Sequence, residues 1–359
     1  MYTRNDTRKI NIGNVSIGGG SPIAVQSMTN TDTRDVHATV NQILRLEEAG
    51  CDIIRVAVPD EAAANAVKEI KKNIHVPLVA DIHFNYKLAL MCIENGIDKV
   101  RINPGNIGSS ERTHAVTEMC SKYNIPIRIG INGGSLEKDI LAKYGSPTPE
   151  AIVESAMGHI NILESMGFYD IAVSLKSSNV PATIESYRLM AEKRNYPLHI
   201  GITESGTLQN GTIKSSVGIG AILAMGIGDT IRVSLTGDPV EEVRVGRKIL
   251  HSLELGGNRM IQFVSCPTCG RTRVDLIGTA NLIEQKLSDL EAQGVFKNPR
   301  TVSVMGCAVN GPGEAKHSDI GLAGGENEFL MFIKGEIIGK FSPENAIEKF
   351  IEKVVEMGS

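Results

Sequence analysis

The chain has 359 residues, of which 42% are apolar and 22% charged, and its formal net charge is −4. This balance is typical of a soluble globular protein long enough for two domains, and the small net charge predicts no nucleic-acid partner. The first twenty residues contain no long apolar run, and no later stretch approaches the about 20 apolar residues that span a bilayer. We therefore expect a cytoplasmic protein without a membrane partner, whose thiols stay reduced.

Short, almost continuously apolar segments recur between residues 22 and 235, and a helical pattern follows each of them. Strands buried on both faces have this composition. The eight segments are PIAVQSM (22–28), IIRVAV (53–58), PLVADIHF (77–84), KVRINP (99–104), PIRIGIN (126–132), DIAVSLKSS (170–178), LHIGITES (198–205) and TIRVSL (230–235). Eight such units predict an N-terminal (β/α)₈ TIM barrel. A doubly wound sheet is the alternative, but no glycine-rich dinucleotide turn follows the first strand.

Two further regions flank the predicted barrel. The segment KINIGNVSIGG (9–19) has the pattern of a short hairpin, which could plug the bottom of the barrel. After LELGGNR (253–259) the pattern changes to strand, long helix, two strands, hairpin and closing helix, which is typical of an α+β domain. We therefore expect a TIM barrel over residues 1–255 and a smaller α+β domain over residues 256–359.

Four predicted strands carry an arginine inside an apolar run: IRVAV, VRINP, IRIGI and IRVSL. A buried guanidinium is costly unless it is paired or faces a polar site, and the carboxyl ends of barrel strands meet at the active-site face. Because arginine forks suit phosphate oxygens, we interpret the pattern as a cup for a substrate with two phosphates. Ion pairs with Asp81 or Glu204 are the alternative. The candidate binding residues here are Arg55, His83, Arg101, Asn103, Arg128, Asn132, Lys176, Arg232 and Ser234.

For three residues near the predicted cup, the surrounding sequence indicates a role less specifically. Glu204, in GITESG, is the carboxylate that we expect to act as an acid, with a structural ion pair as the alternative. Lys214, in GTIKSSVGIG, precedes a helical pattern whose free amides could also hold phosphate. His83, in ADIHF, either donates to phosphate or is a satisfied core histidine.

The six cysteines divide into two groups. Cys51, Cys92 and Cys120 lie in amphipathic helical patterns, where free cysteine packs as a small hydrophobe. The other three, Cys266, Cys269 and Cys307, lie in SCPTCGR (265–271) and MGCAVNGPGEA (305–315) and form an incomplete metal site.

Several chemistries remain open for that incomplete site. A C-x-x-C pair is compatible with zinc, with thiol–disulfide exchange or with an iron–sulfur cluster. His317 would complete a zinc site, and Asn310 and Glu314 offer oxygen ligands. Three thiolates and one carboxylate would leave a [4Fe–4S] cluster with one hard, exchangeable ligand. Such a ligand suits a cluster that has to bind something else.

SCPTCGR together with MGCAVNGPGEA, downstream of ADIHF, RINPGN, RIGINGGSL and GITESG, closely resembles the 4-hydroxy-3-methylbut-2-en-1-yl diphosphate synthase family in its compact two-domain bacterial form. The resemblance implies an oxidoreductase of isoprene biosynthesis. It implies reductive opening and dehydroxylation of 2-C-methyl-D-erythritol 2,4-cyclodiphosphate to (E)-4-hydroxy-3-methylbut-2-enyl diphosphate, with electrons from flavodoxin or ferredoxin. It also implies that Cys266, Cys269, Cys307 and Glu314 hold a [4Fe–4S] cluster, and that Glu204 is the acid. The positions that match diphosphate-holding residues are Arg55, Arg101, Arg128, Asn132, Lys176, Arg232 and Ser234.

The position of the linker predicts a dimer. The eighth barrel helix returns the chain to the face opposite the active site, and LELGGNR spans at most about 25 Å when extended. A domain of a hundred residues, with a radius of gyration of about 13 Å, could hardly travel round its own barrel from there. We therefore expect a head-to-tail homodimer in which each cluster domain caps the partner's barrel, as the resemblance also implies. Gly256 and Gly257 are the candidate hinges.

Overall fold

The structure is a computed structural model that describes residues 1–107, 109–256, 261–308, 315 and 317–358. The chain divides into two compact units, Met1–Gly256 and Gly257–Ser359. Within the part described, no helix is both long enough and apolar enough to cross a membrane.

Eight parallel strands form the core of the first unit, each from one of the predicted segments. They are β3 (Ala24–Met28), β4 (Ile53–Ala57), β5 (Leu78–Asp81), β6 (Lys99–Ile102), β7 (Ile127–Asn132), β8 (Ile171–Lys176), β9 (His199–Ile200) and β10 (Thr230–Ile231). The sheet order is β8-β7-β6-β5-β4-β3-β10-β9. A parallel bridge between Val173 and Leu198 joins its two ends, so the sheet closes into the predicted barrel.

The strands of the barrel are followed by helices, most of which begin at a side-chain cap. They are α1 (Val36–Glu48), α2 (Glu61–Lys72), α3 (Tyr86–Glu94), α4 (Ser110–Tyr123), α5 (Lys138–Tyr144), α6 (Pro149–Ser165), α7 (Val180–Lys193), α8 (Leu208–Ala224) and α9 (Pro239–Ser252). Thr148 and Asp238 each accept a hydrogen bond from the first turn of a helix that starts with proline. The short α5 is an addition to the eight helical patterns of the sequence.

The side chains of each strand alternate between two environments. In β4, Ile54 and Val56 pack outward against the helices, while Ile53 and Arg55 lie on the other face. The same alternation places Lys99 and Arg101 of β6 on the inner face. The interior of the barrel is therefore apolar at one end and cationic at the other.

The apolar end is closed by the N-terminal hairpin. Its strands β1 (Ile10–Ile12) and β2 (Val15–Ile17) pair in antiparallel register. The buried side chains of Ile10, Ile12 and Ile17 pack on the first inner layer of the barrel. That layer consists of Ala24, Ile53, Val79 and Ala172. The hairpin thus plugs the N-terminal end of the barrel, as the sequence indicated.

The second unit is an α+β domain around a five-stranded sheet. The strands are β11 (Ile261–Ser265), β12 (Arg300–Met305), β13 (Ile320–Gly324), β14 (Phe329–Ile333) and β15 (Glu336–Phe341), hydrogen-bonded in that order. The first three are parallel, and the last two are antiparallel to their neighbours. Helices α10 (Leu276–Ala292) and α11 (Pro343–Gly358) bury Ile283 and Phe350 against the sheet.

Candidate active site

A cluster of charged side chains around one carboxylate lies at the carboxyl ends of β4, β5 and β6. The Asp81 carboxylate accepts hydrogen bonds from Arg55 at 2.9 Å and from Arg101 at 3.4 Å, and His83 lies 3.5 Å away. Burial alone would raise the pKa of Asp81, but the His83 hydrogen bond and the two guanidinium charges outweigh it and hold that pKa well below its usual range. His83 is 59% exposed, which excludes a core histidine. One carboxylate is thus shared by two arginines.

A second buried carboxylate holds Arg232. Glu242, on α9, lies 3.4 Å from Nε and 3.5 Å from Nη2 of that arginine. It also accepts hydrogen bonds from Ser27 Oγ at 3.1 Å and from the Leu235 backbone N–H at 3.0 Å. Four contacts fix this carboxylate, so it orients Arg232 beneath the mouth of the barrel.

Two basic side chains of the barrel interior have buried nitrogens without a hydrogen-bond partner among the described residues. Arg128 is 1% exposed and Lys99 is fully buried. Nε and Nη1 of Arg128 and Nζ of Lys99 make no hydrogen bond within the described part of the chain. Burial, followed by the charges of neighbouring arginines, lowers the pKa of both groups well below their ordinary values. The Asp81 carboxylate opposes this shift at Arg128, but the buried nitrogens named here stay without a hydrogen bond, which is costly for a buried cation.

Lys176 continues the cationic lining on the far side of Arg128. Its Nζ lies 3.3 Å from Nε2 of the buried His199, whose Nδ1 lies 2.8 Å from Thr230 Oγ1. If Lys176 donates to Nε2, the ring proton sits on Nδ1 and is donated to the threonine. Burial and the nearby cations lower the pKa of both Lys176 and His199, so the histidine is neutral.

An open cavity of about 490 Å³ lies at the carboxyl ends of β6 and β7, and Arg101 is the barrel arginine that lines it among the described residues. Arg101 and Asn103 contribute from the end of β6, and Asn132 and Ser135 from the end of β7. Arg101 also donates to the Gly130 carbonyl at 2.8 Å, and the Asn103 amide oxygen accepts from Gly130 N–H at 3.0 Å. The remaining lining residues are His83, Phe84 and Asn106. The cavity presents guanidinium, imidazole and amide groups, which suit a phosphorylated ligand.

Glu204 lies in the turn between β9 and α8. It is exposed, and its φ of +52° is the left-handed conformation that non-glycine residues rarely adopt. Lys214 Nζ donates to its backbone carbonyl at 3.3 Å. The expectation that Lys214 precedes a helix is wrong, because α8 already begins at Leu208 with the mostly polar turn LQNG. The amides around Lys214 are therefore inside the helix.

Three cysteines meet in the second unit. Cys266 follows β11 and Cys307 follows β12, and because these strands are parallel neighbours their carboxyl ends share one edge of the sheet. Cys266, Cys269 and Cys307 line one cavity of about 310 Å³, together with Pro267, Arg271, Thr272 and Gly306. Gly306 N–H donates to Cys266 Sγ at 3.3 Å. A backbone hydrogen bond from Arg271 lowers the pKa of Cys269.

The donor set of this cavity fits soft metals. Thiolates favour zinc or iron–sulfur clusters, and the cavity volume leaves room for a group larger than one ion. Within the described residues, no three His, Cys, Asp or Glu side chains converge on a single-ion site. Glu314 and Asn310 lie outside the described residues.

The other three cysteines are core residues, as predicted. Cys51, Cys92 and Cys120 are at most 4% exposed, and burial raises the pKa of each thiol.

The structure adds three interior residues that the sequence analysis did not select: Lys99, His199 and Glu242. The alternation K-V-R in β6 could have placed Lys99 on the same face as Arg101. Nothing in the sequence pairs Glu242, on a helix, with Arg232. Ser234, which follows β10, is half-buried.

Fold and site together define a TIM-barrel protein with basic side chains inside the barrel and a separate domain that contains a thiol-lined cavity. Residues 7–247 match the GcpE TIM-barrel domain and residues 262–356 match the GcpE protein C-terminal domain. The chain belongs to the GcpE family.

Relatives named 4-hydroxy-3-methylbut-2-en-1-yl diphosphate synthase (flavodoxin) are similar along their whole length. The protein of Caldanaerobacter subterraneus subsp. tengcongensis is 60% identical, covering 99% of this chain and 98% of the relative. That of Clostridium perfringens is 58% identical, covering 98% and 99%. Among solved structures, dihydropteroate synthase of Yersinia pestis matches with a TM-score of 0.49 and 13% identity, covering 68% of this chain and 97% of that one.

Proposed function

We propose that this protein converts 2-C-methyl-D-erythritol 2,4-cyclodiphosphate to (E)-4-hydroxy-3-methylbut-2-enyl diphosphate. The reaction takes up two electrons and two protons, opens the ring and releases one water. The relatives' names give flavodoxin as the electron donor, and we extend that donor to this protein. The first domain, residues 1–255, binds the substrate in this proposal, and residues 256–359 hold a [4Fe–4S] cluster.

The observation that carries the proposal is the unpaired charge inside the barrel. Nε and Nη1 of Arg128 and Nζ of Lys99 lack a hydrogen-bond partner among the described residues, while Arg55, Arg101 and Arg232 share two carboxylates. A cyclic diphosphate brings the missing negative charge and the oxygen acceptors that guanidinium forks prefer. The cations would therefore bind and orient the substrate, and their charge would stabilise the phosphate that leaves the ring carbon.

The thiol cavity supports the cofactor. Cys266, Cys269 and Cys307 provide three soft ligands around one space, and we assign Glu314 as the fourth ligand. When bound, the cluster supplies single-electron transfer at low potential. Arg271 lines the same cavity and would offset the negative charge of a thiolate-ligated cluster. Because these thiols must stay reduced, we place the protein in the cytoplasm.

Glu204 is our candidate proton donor. Its exposed side chain stands on a strained backbone at the active-site end of the barrel, and Lys214 anchors the same turn through the Glu204 carbonyl. Backbone strain of this kind occurs at functional sites, where surrounding contacts maintain it. In this role Glu204 would protonate the leaving hydroxyl oxygen, so that it departs as water.

Metal analysis and a direct assay test the proposal. Protein purified without oxygen should contain about four iron and four acid-labile sulfide per chain, and should reduce the cyclodiphosphate when supplied with reduced flavodoxin. One zinc without sulfide, persisting after anaerobic reconstitution, would contradict the cofactor. Full iron content without turnover would contradict the substrate.

We also propose that the working unit is the head-to-tail homodimer expected from the linker. Mixing Cys307→Ala subunits with Arg101→Ala subunits is expected to restore activity, because one mixed site would combine an intact barrel with an intact cluster domain. The assay compares the mixture with each variant alone. Mixing two separately prepared batches of Cys307→Ala serves as the control. Activity that stays at background in the mixture, with subunit exchange verified by mass, would mean that each site belongs to one chain.

A further inference from the structure

Two loops that supply amide and hydroxyl groups to the 490 Å³ cavity are joined beneath it by one histidine. The first loop follows β6 and contains the short 3₁₀ turn Pro104–Asn106. The second follows β7 and contains the turn Gly133–Ser135. Neither turn is part of the strands, so their positions depend on contacts from elsewhere in the barrel. Asn103 is held by the Gly130 N–H of β7, and a further contact comes from α6.

His159 of α6 makes both connections. Its Nδ1 accepts a hydrogen bond from the Gly105 backbone N–H at 3.0 Å, and its Nε2 lies 2.8 Å from Oε1 of Glu137. Glu137 follows the second loop, and its other carboxylate oxygen accepts from Ser155 Oγ at 2.8 Å. The chain of contacts runs from one loop through α6 to the other loop.

The direction of these hydrogen bonds fixes the state of the ring. An N–H donor at Gly105 requires a lone pair on Nδ1, so the proton sits on Nε2 and is donated to Glu137. The histidine is 4% exposed, and burial lowers its pKa despite the adjacent carboxylate. The neutral Nε2–H tautomer is therefore the form that holds both loops.

The fit around the ring is tight. A Cβ atom added at Gly105 would come within 2.7 Å of His159 Cε1, a distance that real Cβ atoms essentially never show. The turn thus lies directly on the imidazole edge. A side chain at position 105 would therefore require the ring or the turn to shift.

We infer that His159 is a positioning residue for substrate binding, which sets the turn Pro104–Asn106, and with it Asn103 and Asn106, against the ligand. This inference rests on the proposed function, because it takes the cyclodiphosphate as the ligand of the cavity. His159 reaches the substrate only through the two loops. Its effect should therefore appear in affinity and not in the chemical step.

Two isosteric replacements separate the two contacts. His159→Asn keeps an acceptor near the position of Nδ1, and His159→Gln keeps a donor near the position of Nε2 but leaves the buried Gly105 N–H without its acceptor. We expect His159→Gln to raise KM and the calorimetric Kd for the cyclodiphosphate about tenfold with kcat nearly unchanged, and His159→Asn to stay within about threefold of wild type. His114→Ala, an exposed histidine on α4, is the surface control.

A second variant covers the case in which His159→Gln does not fold. Gly105→Ala is expected to raise KM by a similar factor, and His159→Asn in the same chain should restore it, because Asn has no atom at the position of Cε1. Equal effects of Asn and Gln, or Gly105→Ala without effect on KM, would overturn the positioning role and leave the proposed function intact. Wild type that neither binds nor reduces the cyclodiphosphate would overturn both.

Discussion

Replacing Arg128 with methionine is expected to raise the free energy of unfolding by about 1–4 kcal/mol and to abolish binding of the cyclodiphosphate. The guanidinium is 1% exposed, and two of its nitrogens lack a partner among the described residues. Methionine has a similar length but no charge. The ligand-free protein then no longer bears the cost of desolvating a buried charge, and the site loses a group that binds the anion. Urea unfolding of the ligand-free protein and calorimetric titration measure the two effects.

Asp81→Asn is the matched control, because it removes a negative charge from the cluster, whereas Arg128→Met removes a positive charge. Asp81 is the carboxylate that Arg55 and Arg101 share, so its neutralisation leaves two partly buried guanidinium groups without this counter-charge. We expect the free energy of unfolding to fall by about 3–5 kcal/mol. If Arg128→Met also destabilises the protein, then Arg128 is paired in the ligand-free state and does not need an anion to balance its charge.

Cys307→Ser is expected to reduce bound iron and sulfide to a trace and activity by at least about a hundredfold. Cys307 lines the 310 Å³ cavity with Cys266 and Cys269, and a hydroxyl is a far harder ligand than a thiolate. Iron analysis, visible absorption and the reductase assay follow the loss.

Cys120→Ser provides the control for the loss of a buried thiol. Cys120 is fully buried in the barrel core and lies in the other domain from the cavity. This variant should lose some stability and keep full iron content. A Cys307→Ser protein that retains four iron per chain and full activity would remove Cys307 from the ligand set.

Local patterns predicted most of the fold because its strands are buried on both faces. Each of the eight apolar segments forms a barrel strand, although β9 and β10 contain only two residues each. At the end of β9, a side chain at Gly201 would come within 2.5 Å of the Arg232 carbonyl. This close approach of two backbones leaves no room for a side chain at position 201. It depends on segments far apart in the sequence, so the local pattern gave no sign of it.

The site residues that lie in similar positions of the predicted strands could be predicted from the sequence. Those that lie on helices were harder to predict. The four arginines follow one motif, so the sequence revealed them together. Glu242 and His159 reach the site from helices, as the partners of Arg232 and Gly105. The distances from these two side chains to their partners depend on how the helices pack against the barrel. A local stretch of sequence does not specify that packing. The roles assigned to the strand-end residues, and to Glu314 outside the described residues, stay predictions for the experiments above.

The N-terminal hairpin also determines how ligands travel. Because Ile10, Ile12 and Ile17 seal one end of the described barrel, the cations inside communicate with solvent through the opposite mouth. In the proposed function, substrate and product would therefore enter and leave through the same mouth, and a bound product would block entry of the next substrate. Any element that covers this mouth during turnover limits the rate of product release as well as the rate of substrate binding. The N-terminal hairpin thereby leaves one route for both ligand entry and ligand exit in the described barrel.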